Sequence, residues 1–439
     1  MVQNAANWQV VVAAAIFLIC YAFIVSEKIS RTIIALCGAL LMVILGIVDF
    51  HAAYTEHIHW ATIILLFGMM VLVGITNKSG IFQYVAVKTA QSAQGDPVKI
   101  LVRLALLTAI GSAFIDNVTT VLLITPIIIS IARILHINPT PFLITEILVC
   151  NIGGAATLVG DPPNIMIGVA AGISFNDFLI HITPIIIIIL VATIIYLKMT
   201  YKNYLQVDEQ NKEKLMGIDP KDYIRDTTLA KKALFAFALT LLGFILHQFL
   251  HIEPAVVALA GATILMLIGV KESDLEEVFH TVEWGTLLFF AGLFVLVGGL
   301  VEVGIIKQAA TWMIEATGGN AGFTSLIILW GAGISSAFVD NIPLVATLIP
   351  LVQDMSLQLA LPAVEVSTLW WSLALGACLG GNGTLIASSA NLVVASIAVR
   401  EEVPMSFMDF LRVSVPVTLI SLAMATIYVY IIFIKLGFA

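Results

Sequence analysis

Ionisable side chains are scarce in this sequence. Only 11% of its 439 residues are Asp, Glu, Lys or Arg, against about 25% in a soluble domain, so water is not the solvent most of the chain is built to meet. The basic residues form no cluster and the net charge is -8, which excludes a nucleic-acid partner held through its phosphates. Cysteine is rare too. Cys20, Cys37, Cys150 and Cys378 lie in apolar stretches, with neither metal-ligand spacing nor a secreted disulfide pattern. No nucleotide-binding Gly-rich loop, no His-Glu-x-x-His and no Gly-x-Ser-x-Gly occurs, so neither ATP-driven work nor an intramembrane enzyme is expected.

What the sequence has is apolar length: 60% of it is hydrophobic. A bilayer core takes roughly 20 apolar residues per helix. Clear spans run over Trp8–Val25, Ile29–Val48, Trp60–Thr76 and Ile180–Lys198, then Ala233–Leu250, Ala255–Val270, Trp284–Leu300 and Leu411–Ile434. The chain opens uncharged and runs directly into the first span, which is expected to stay as a membrane helix instead of being removed as a signal. The one long polar stretch, 200–232, divides the chain into a first unit at 1–199 and a second at 233–439.

Those units repeat. HisTrp at His59–Trp60 matches GluTrp at Glu283–Trp284, and SAFIDNVTTVLLITP at Ser112–Pro126 matches SAFVDNIPLVATLIP at Ser336–Pro350, each 224 positions apart. NIGGAATLVGDPPN at Asn151–Asn164 matches CLGGNGTLIASSAN at Cys378–Asn391 at 227, and SFNDFL at Ser174–Leu179 matches SFMDFL at Ser406–Leu411 at 232. Order is kept and the offset grows only by small insertions.

Basic residues favour the cytoplasmic side of a membrane protein. With both termini outside and five crossings plus one re-entrant hairpin per half, 18 of the 20 Lys and Arg fall inside; Lys307 and Lys435 do not. An odd number of crossings per half turns the second copy upside down. The expected fold is therefore an all-α polytopic membrane protein of two inverted repeats, each with five transmembrane helices, one of them broken, and a re-entrant helical hairpin.

Chemistry concentrates where the apolar pattern breaks. The first hairpin, about Lys99–His136, has Asp116, Asn117, Thr119 and Thr120 at its polar centre, between arms expected to be too short to cross alone. Its counterpart, about Gly322–Asp354, carries Asp340 and Asn341. An Asp at mid-membrane costs about 2.5–3.5 kcal/mol, so two at matching tips suggest function: either caps of the following helices, or caps that also bind a proton or Na⁺, with Asn117 and Asn341 beside them. The broken helices centre on Gly153–Asn164 and Gly380–Asn391, where glycines and, in the first copy, Pro162–Pro163 unwind the backbone. Thr157, Asn164, Asn382, Thr384 and Asn391 are expected to line the site. Asp161 has Ser388 as its counterpart and serves either as a proton carrier unique to one half or as a cap. Neither hairpin tip and neither unwound segment carries Lys or Arg, which favours a cation, a neutral solute, or an anion brought in with a cation. Cys150 and Cys378 read as apolar fillers, and His51, His57 and His59 as interfacial side chains.

The paired tips, with NIGGAATLVGDPPNIMIG at Asn151–Gly168 and GACLGGNGTLIASSAN at Gly376–Asn391, resemble the ion transporter superfamily. The branch is that of arsenite permeases, NhaD-type antiporters and the melanosomal P protein, with its citrate-transporter-like domain. The resemblance covers about Trp60–Phe433. It implies a homodimer with an elevator-like moving unit. The Ser-Asn-Thr signature of the superfamily's dicarboxylate carriers falls on Asp116, Asn117 and Thr119 and on Asp340 and Asn341, with Asp in place of Ser and Pro343 in place of the second hydroxyl. The expected function is secondary active transport of a small inorganic ion or solute across the cell membrane, coupled to H⁺ or Na⁺ and needing no cofactor. Arsenite-type efflux and Na⁺/H⁺ antiport lead. A passive anion conductance of the P-protein type and a citrate-like dicarboxylate symport are the alternatives.

Overall fold

A computed structural model describes residues 6–26, 28–202, 205, 207–403 and 405–438. The described residues contain helices and no strand, and ten helices are long and apolar enough to cross a membrane. That is the all-α polytopic architecture expected. Residues 1–5 and 439 at the expected outer termini, and 203, 204 and 206 in the linker, lie outside the described residues.

The first half runs α1 (Asn7–Ser26), α2 (Arg31–Ile44), α3 (Trp60–Lys78), α4 (Ile81–Ser92), α5 (Pro97–Phe114) and α6 (Asn117–Leu135). It continues with α7 (Thr140–Gly154), α8 (Pro162–Ala171), α9 (Phe175–His181) and α10 (Thr183–Tyr201). After α11 (Glu209–Met216) the second half follows as α12 (Thr227–Leu250), α13 (Pro254–Gly269), α14 (Trp284–Glu302), α15 (Ile305–Thr317), α16 (Ala321–Ser336) and α17 (Asn341–Leu359). It closes with α18 (Ala363–Gly380), α19 (Ser389–Arg400) and α20 (Phe407–Tyr428).

Two packing groups emerge. In one, α2 lies against α14 and α3 against α13, with α1 and α12 alongside. Gly292 faces the backbone of Ala35 and Leu36, and Gly68 that of Ala258 and Leu259; a Cβ on either glycine would sit within 3 Å of those atoms. Gly68 and Gly292 are repeat equivalents, so the same close helix crossing is built twice. In the other group α5 and α6 enclose α7, while α16 and α17 enclose α18. Every residue of α7 from Pro141 to Gly154 is buried, as is every residue of α18 from Thr368 to Gly380. A mostly apolar helix buried on every side belongs inside. These two hold the centre of the core.

The hairpin arms differ from expectation. Those of the first are 18 and 19 residues long and those of the second 16 and 19, so by length all but α16 can cross a membrane. The reason lies in their outer turns. Asp96 caps α5 through Val98 and Lys99, Lys99 lies in its first turn and Arg103 in its second, and Arg133 lies in the last turn of α6, so the helices extend beyond their apolar parts. The linker is also more built than a free loop: Gln91 Nε2 on α4 donates to the carbonyls of Leu215 and Ile218 at 3.0 and 2.6 Å.

Candidate functional site

Each hairpin tip is a two-helix junction with an acid at its turn. Asp116 caps α6, its Oδ1 accepting from Thr119 N at 2.9 Å, and Asp340 caps α17 through Ile342 N at 2.9 Å. Both acids therefore do cap, and their other contacts separate them. Thr120 turns inward and donates to Ile115 O at 3.3 Å. The next residue at each tip, Asn117 or Asn341, is almost fully buried and points to the same place. Asn117 Nδ2 donates to Asp161 Oδ1 at 3.1 Å, and Asn341 Nδ2 donates to Asp161 Oδ2 at 3.3 Å. One carboxylate on the first broken helix thus bridges both tips, 180 positions in sequence from one of them. Asp161 precedes α8 without a side-chain capping bond.

The unwound segments are held by matched hydrogen bonds. Thr157 donates to Ala113 O, and Thr384 donates to Ala337 O. Asn164 Nδ2 donates to the carbonyls of Gly154 and Thr157 at 3.4 and 2.9 Å, while Asn391 Nδ2 donates to those of Gly381 and Thr384 at 2.8 and 2.9 Å. Ser112 and Ser336 donate to the carbonyls of Cys150 and Ala377 at 2.8 and 2.7 Å. The sequence repeat is thus repeated bond for bond. In each copy the Thr ties the break to the hairpin tip and the Asn satisfies freed carbonyls, as buried backbone groups require. These four side chains hold the loop backbone, with the amide oxygens of Asn164 and Asn391 left to meet Cys378 and Asn151.

Asn382 joins a second knot. Its Nδ2 donates to Leu148 O at 3.1 Å and its Oδ1 accepts from Asn151 Nδ2 at 2.9 Å, which also reaches Asn391 Oδ1 at 2.9 Å. The equivalent of Asn151 is Cys378, whose thiol meets Asn164 Oδ1 at 3.4 Å. Asn151 makes several of the bonds between the two broken helices, to Asn382, Asn391 and Ser388. Its mismatch with Cys378 concealed it in the repeat comparison; an amide near the end of a mostly apolar arm was the signal.

A basic side chain does reach the site, against the expectation drawn from the tips and breaks alone. Arg31, the first residue of α2, places Nη1 at 3.0 Å from Asp340 Oδ2 and 2.5 Å from Ser389 Oγ. Ser389 Oγ in turn donates to the same Asp340 oxygen at 2.6 Å. The guanidinium also stands 5.0 Å above the Phe289 ring. Arg31 was invisible as a site residue because 309 positions separate it from Asp340 and no motif marks it. Together Arg31, Glu283, Thr286, Phe289, Asp340 and Ser389 line a cavity of about 460 Å³ that opens to the protein surface. Among the described residues, neither Asp116 nor Asp161 has a basic partner within 4 Å. No three His, Cys, Asp or Glu side chains among them converge to hold a metal ion.

Residues 21–376 match the family model described as citrate transporter, CitMHS. An uncharacterized transporter of Mycobacterium tuberculosis is 43% identical over 425 residues, spanning 96% of this chain and 98% of that protein. The P protein of Mus musculus is 32% identical over 513 residues, spanning 98% of this chain and 61% of that protein. The YdaH transporter of Alcanivorax borkumensis, known from a crystal structure with an unusual topology, aligns over 98% of both chains with a TM-score of 0.58 at 14% identity. The likeness to YdaH concerns the fold. The resemblance read from the hairpin tips and broken helices is borne out, and the protein is a transporter and not an enzyme. A multi-pass membrane chain with two matched hairpins, two matched broken helices and this family match belongs to the CitMHS citrate transporter family.

Proposed function

We propose that the chain is a secondary active transporter that moves a small inorganic ion or solute against its gradient, driven by H⁺ or Na⁺. The observation that carries this is Asp161: a fully buried carboxylate, gripped by an amide from each hairpin tip and lacking any basic partner among the described residues. A buried charge of that kind is costly unless a cation or proton joins it. It sits where both hairpins meet, so occupancy by the coupling ion is felt by both. Asp116 stands one residue from the first amide and is the second candidate for that ion.

In this reading the halves, 1–199 and 233–439, face opposite ways about the 200–232 linker, and the Arg31 cavity opens to the cytoplasm. Asp340, paired with Arg31, is part of the cavity wall instead of a free cation site. Arsenite-type efflux and Na⁺/H⁺ antiport remain the leading activities. Arg31 favours a second reading, in which the solute is a carboxylate anion taken up with the coupling ion. The chain acts in the cell membrane, as a homodimer, with alternating access between the two sides.

Purified protein in liposomes carrying an internal pH dye tests this. Arsenite, Na⁺ and citrate are each offered with and without an imposed H⁺ or Na⁺ gradient. The expected result is accumulation of one of them only when the gradient is present. An electrical current independent of either gradient would establish a passive conductance and overturn the coupled reading.

A further inference from the structure

We infer that Glu146 is a proton-binding site inside the first hairpin bundle, separate from Asp161 and present in only one half of the molecule. Glu146 lies on α7 and is 1% exposed. Leu101, Leu104, Ala105, Ile128 and Phe142 wall the small cavity beside it, which is too small to hold a water molecule. Thr125 on α6 donates to Glu146 Oε2 at 3.0 Å. The other oxygen, Oε1, has no hydrogen-bond partner, and neither has the Thr108 hydroxyl on α5 that lines the same cavity. No Lys, Arg or His lies within 4 Å among the described residues. A carboxylate ion in such a place bears the full cost of burial. A neutral carboxylic acid does not, and the proton that makes it neutral is the one cation that needs no volume.

The repeat argues against a scaffolding role. By the offsets that align the two copies, Thr108, Thr125 and Glu146 correspond to Ala332, Ile349 and Leu373, and all three of these are buried. The second bundle closes the same packing with apolar side chains. The fold therefore does not require the polar trio, yet the first half carries all three members together. Cys150 lies one turn beyond Glu146 on the same helix face. Its thiol is 3.4 Å from Ser112 Oγ and from Asn117 O, and Asn117 holds Asp161. The trio thus adjoins the site where the tips meet. A carboxylate left without that proton would keep one hydrogen bond, from Thr125, while Oε1 and the Thr108 hydroxyl stay unpaired, so this packing holds the acid neutral.

The coupling role of this proton rests on the gradient-driven reading above; the existence of the site does not. Infrared spectroscopy of the full chain in liposomes reads the C=O stretch of buried protonated carboxylic acids without any substrate. A band present in the wild type and absent from Glu146→Gln is expected; an unchanged band overturns the site. Thr108→Ala/Thr125→Ile/Glu146→Leu copies the second half and is expected to fold with an unfolding midpoint at or above that of the wild type. Proton movement driven by an imposed Na⁺ or citrate gradient, followed by the internal dye, should fall by about tenfold in this variant and in Glu146→Gln. Wild-type proton movement in either would remove Glu146 from the coupling path. Should the wild type move no protons at all, the gradient-driven reading fails, while the infrared band still decides whether Glu146 holds one.

Discussion

Arg31 changes what the cavity can accept. Its guanidinium is shared between Asp340 and Ser389 and remains 30% exposed, so it is available to a solute that enters. Arg31→Gln keeps most of the length and removes the charge. For a carboxylate solute the apparent affinity is expected to fall about tenfold, or about 1.4 kcal/mol, with the maximal rate little changed; equal affinities in concentration-dependent uptake would retire the anion reading. His59 offers a pH handle outside the spans. Burial, and then the neighbouring His57, lower its pKa below the ordinary histidine value. The folded state therefore binds fewer protons than the unfolded chain just below that value, and stability falls as the pH drops through it. Thermal unfolding measured across that range should show this decline in the wild type and a flatter profile in His59→Gln.

Which residues could be read in advance follows from how they are encoded. Asp116, Asn117, Asp340 and Asn341 stood out because each breaks an apolar run and does so twice at a fixed offset. Asp161 stood out because its counterpart is Ser388, although its bridge to both tips needed the fold. Arg31, Asn151 and Glu146 were missed for separate reasons. Arg31 acts across 309 positions, Asn151 is paired with a cysteine in the repeat, and Glu146 is a single acid within an arm otherwise read as apolar filler. A lone acid in a membrane helix was itself a signal.

Helices and hairpins were legible from periodicity and punctuation, and their lengths less so. The bounds of the first hairpin matched, but with their polar outer turns α5 and α6 are each long and apolar enough to cross, which the apolar stretches alone did not suggest. The close crossings were not legible, because a glycine in an apolar helix looks like any small residue until its neighbour is known. Gly292 is the sharper case, since a side chain there would meet the backbone of Ala35 and Leu36, which cannot rotate away. Gly292→Leu is expected to cost about 1–3 kcal/mol by overpacking. A lowered unfolding midpoint in detergent checks it, and Gly331→Leu, where a Cβ meets open space, is the control that should leave the midpoint unchanged.

Taken together, the two halves supply unequal parts to one centre. Each contributes a hairpin tip with a buried amide, while the first alone contributes Asp161 and the α2 arginine that reaches the other half's acid. Matched bonds at Thr157 and Thr384, and at Asn164 and Asn391, keep the two frameworks alike; Asp161 opposite Ser388 makes them chemically different. In the proposed reading that difference lies where the driving ion binds, since one carboxylate answering to both hairpins links their positions to a single occupancy. The most direct measurement is gradient-driven accumulation in liposomes by Asp161→Asn beside the wild type, with both proteins first shown to be folded by thermal unfolding. A folded variant is expected, whose accumulation falls about a hundredfold while slow exchange down a gradient persists. Accumulation at the wild-type rate by Asp161→Asn would contradict it.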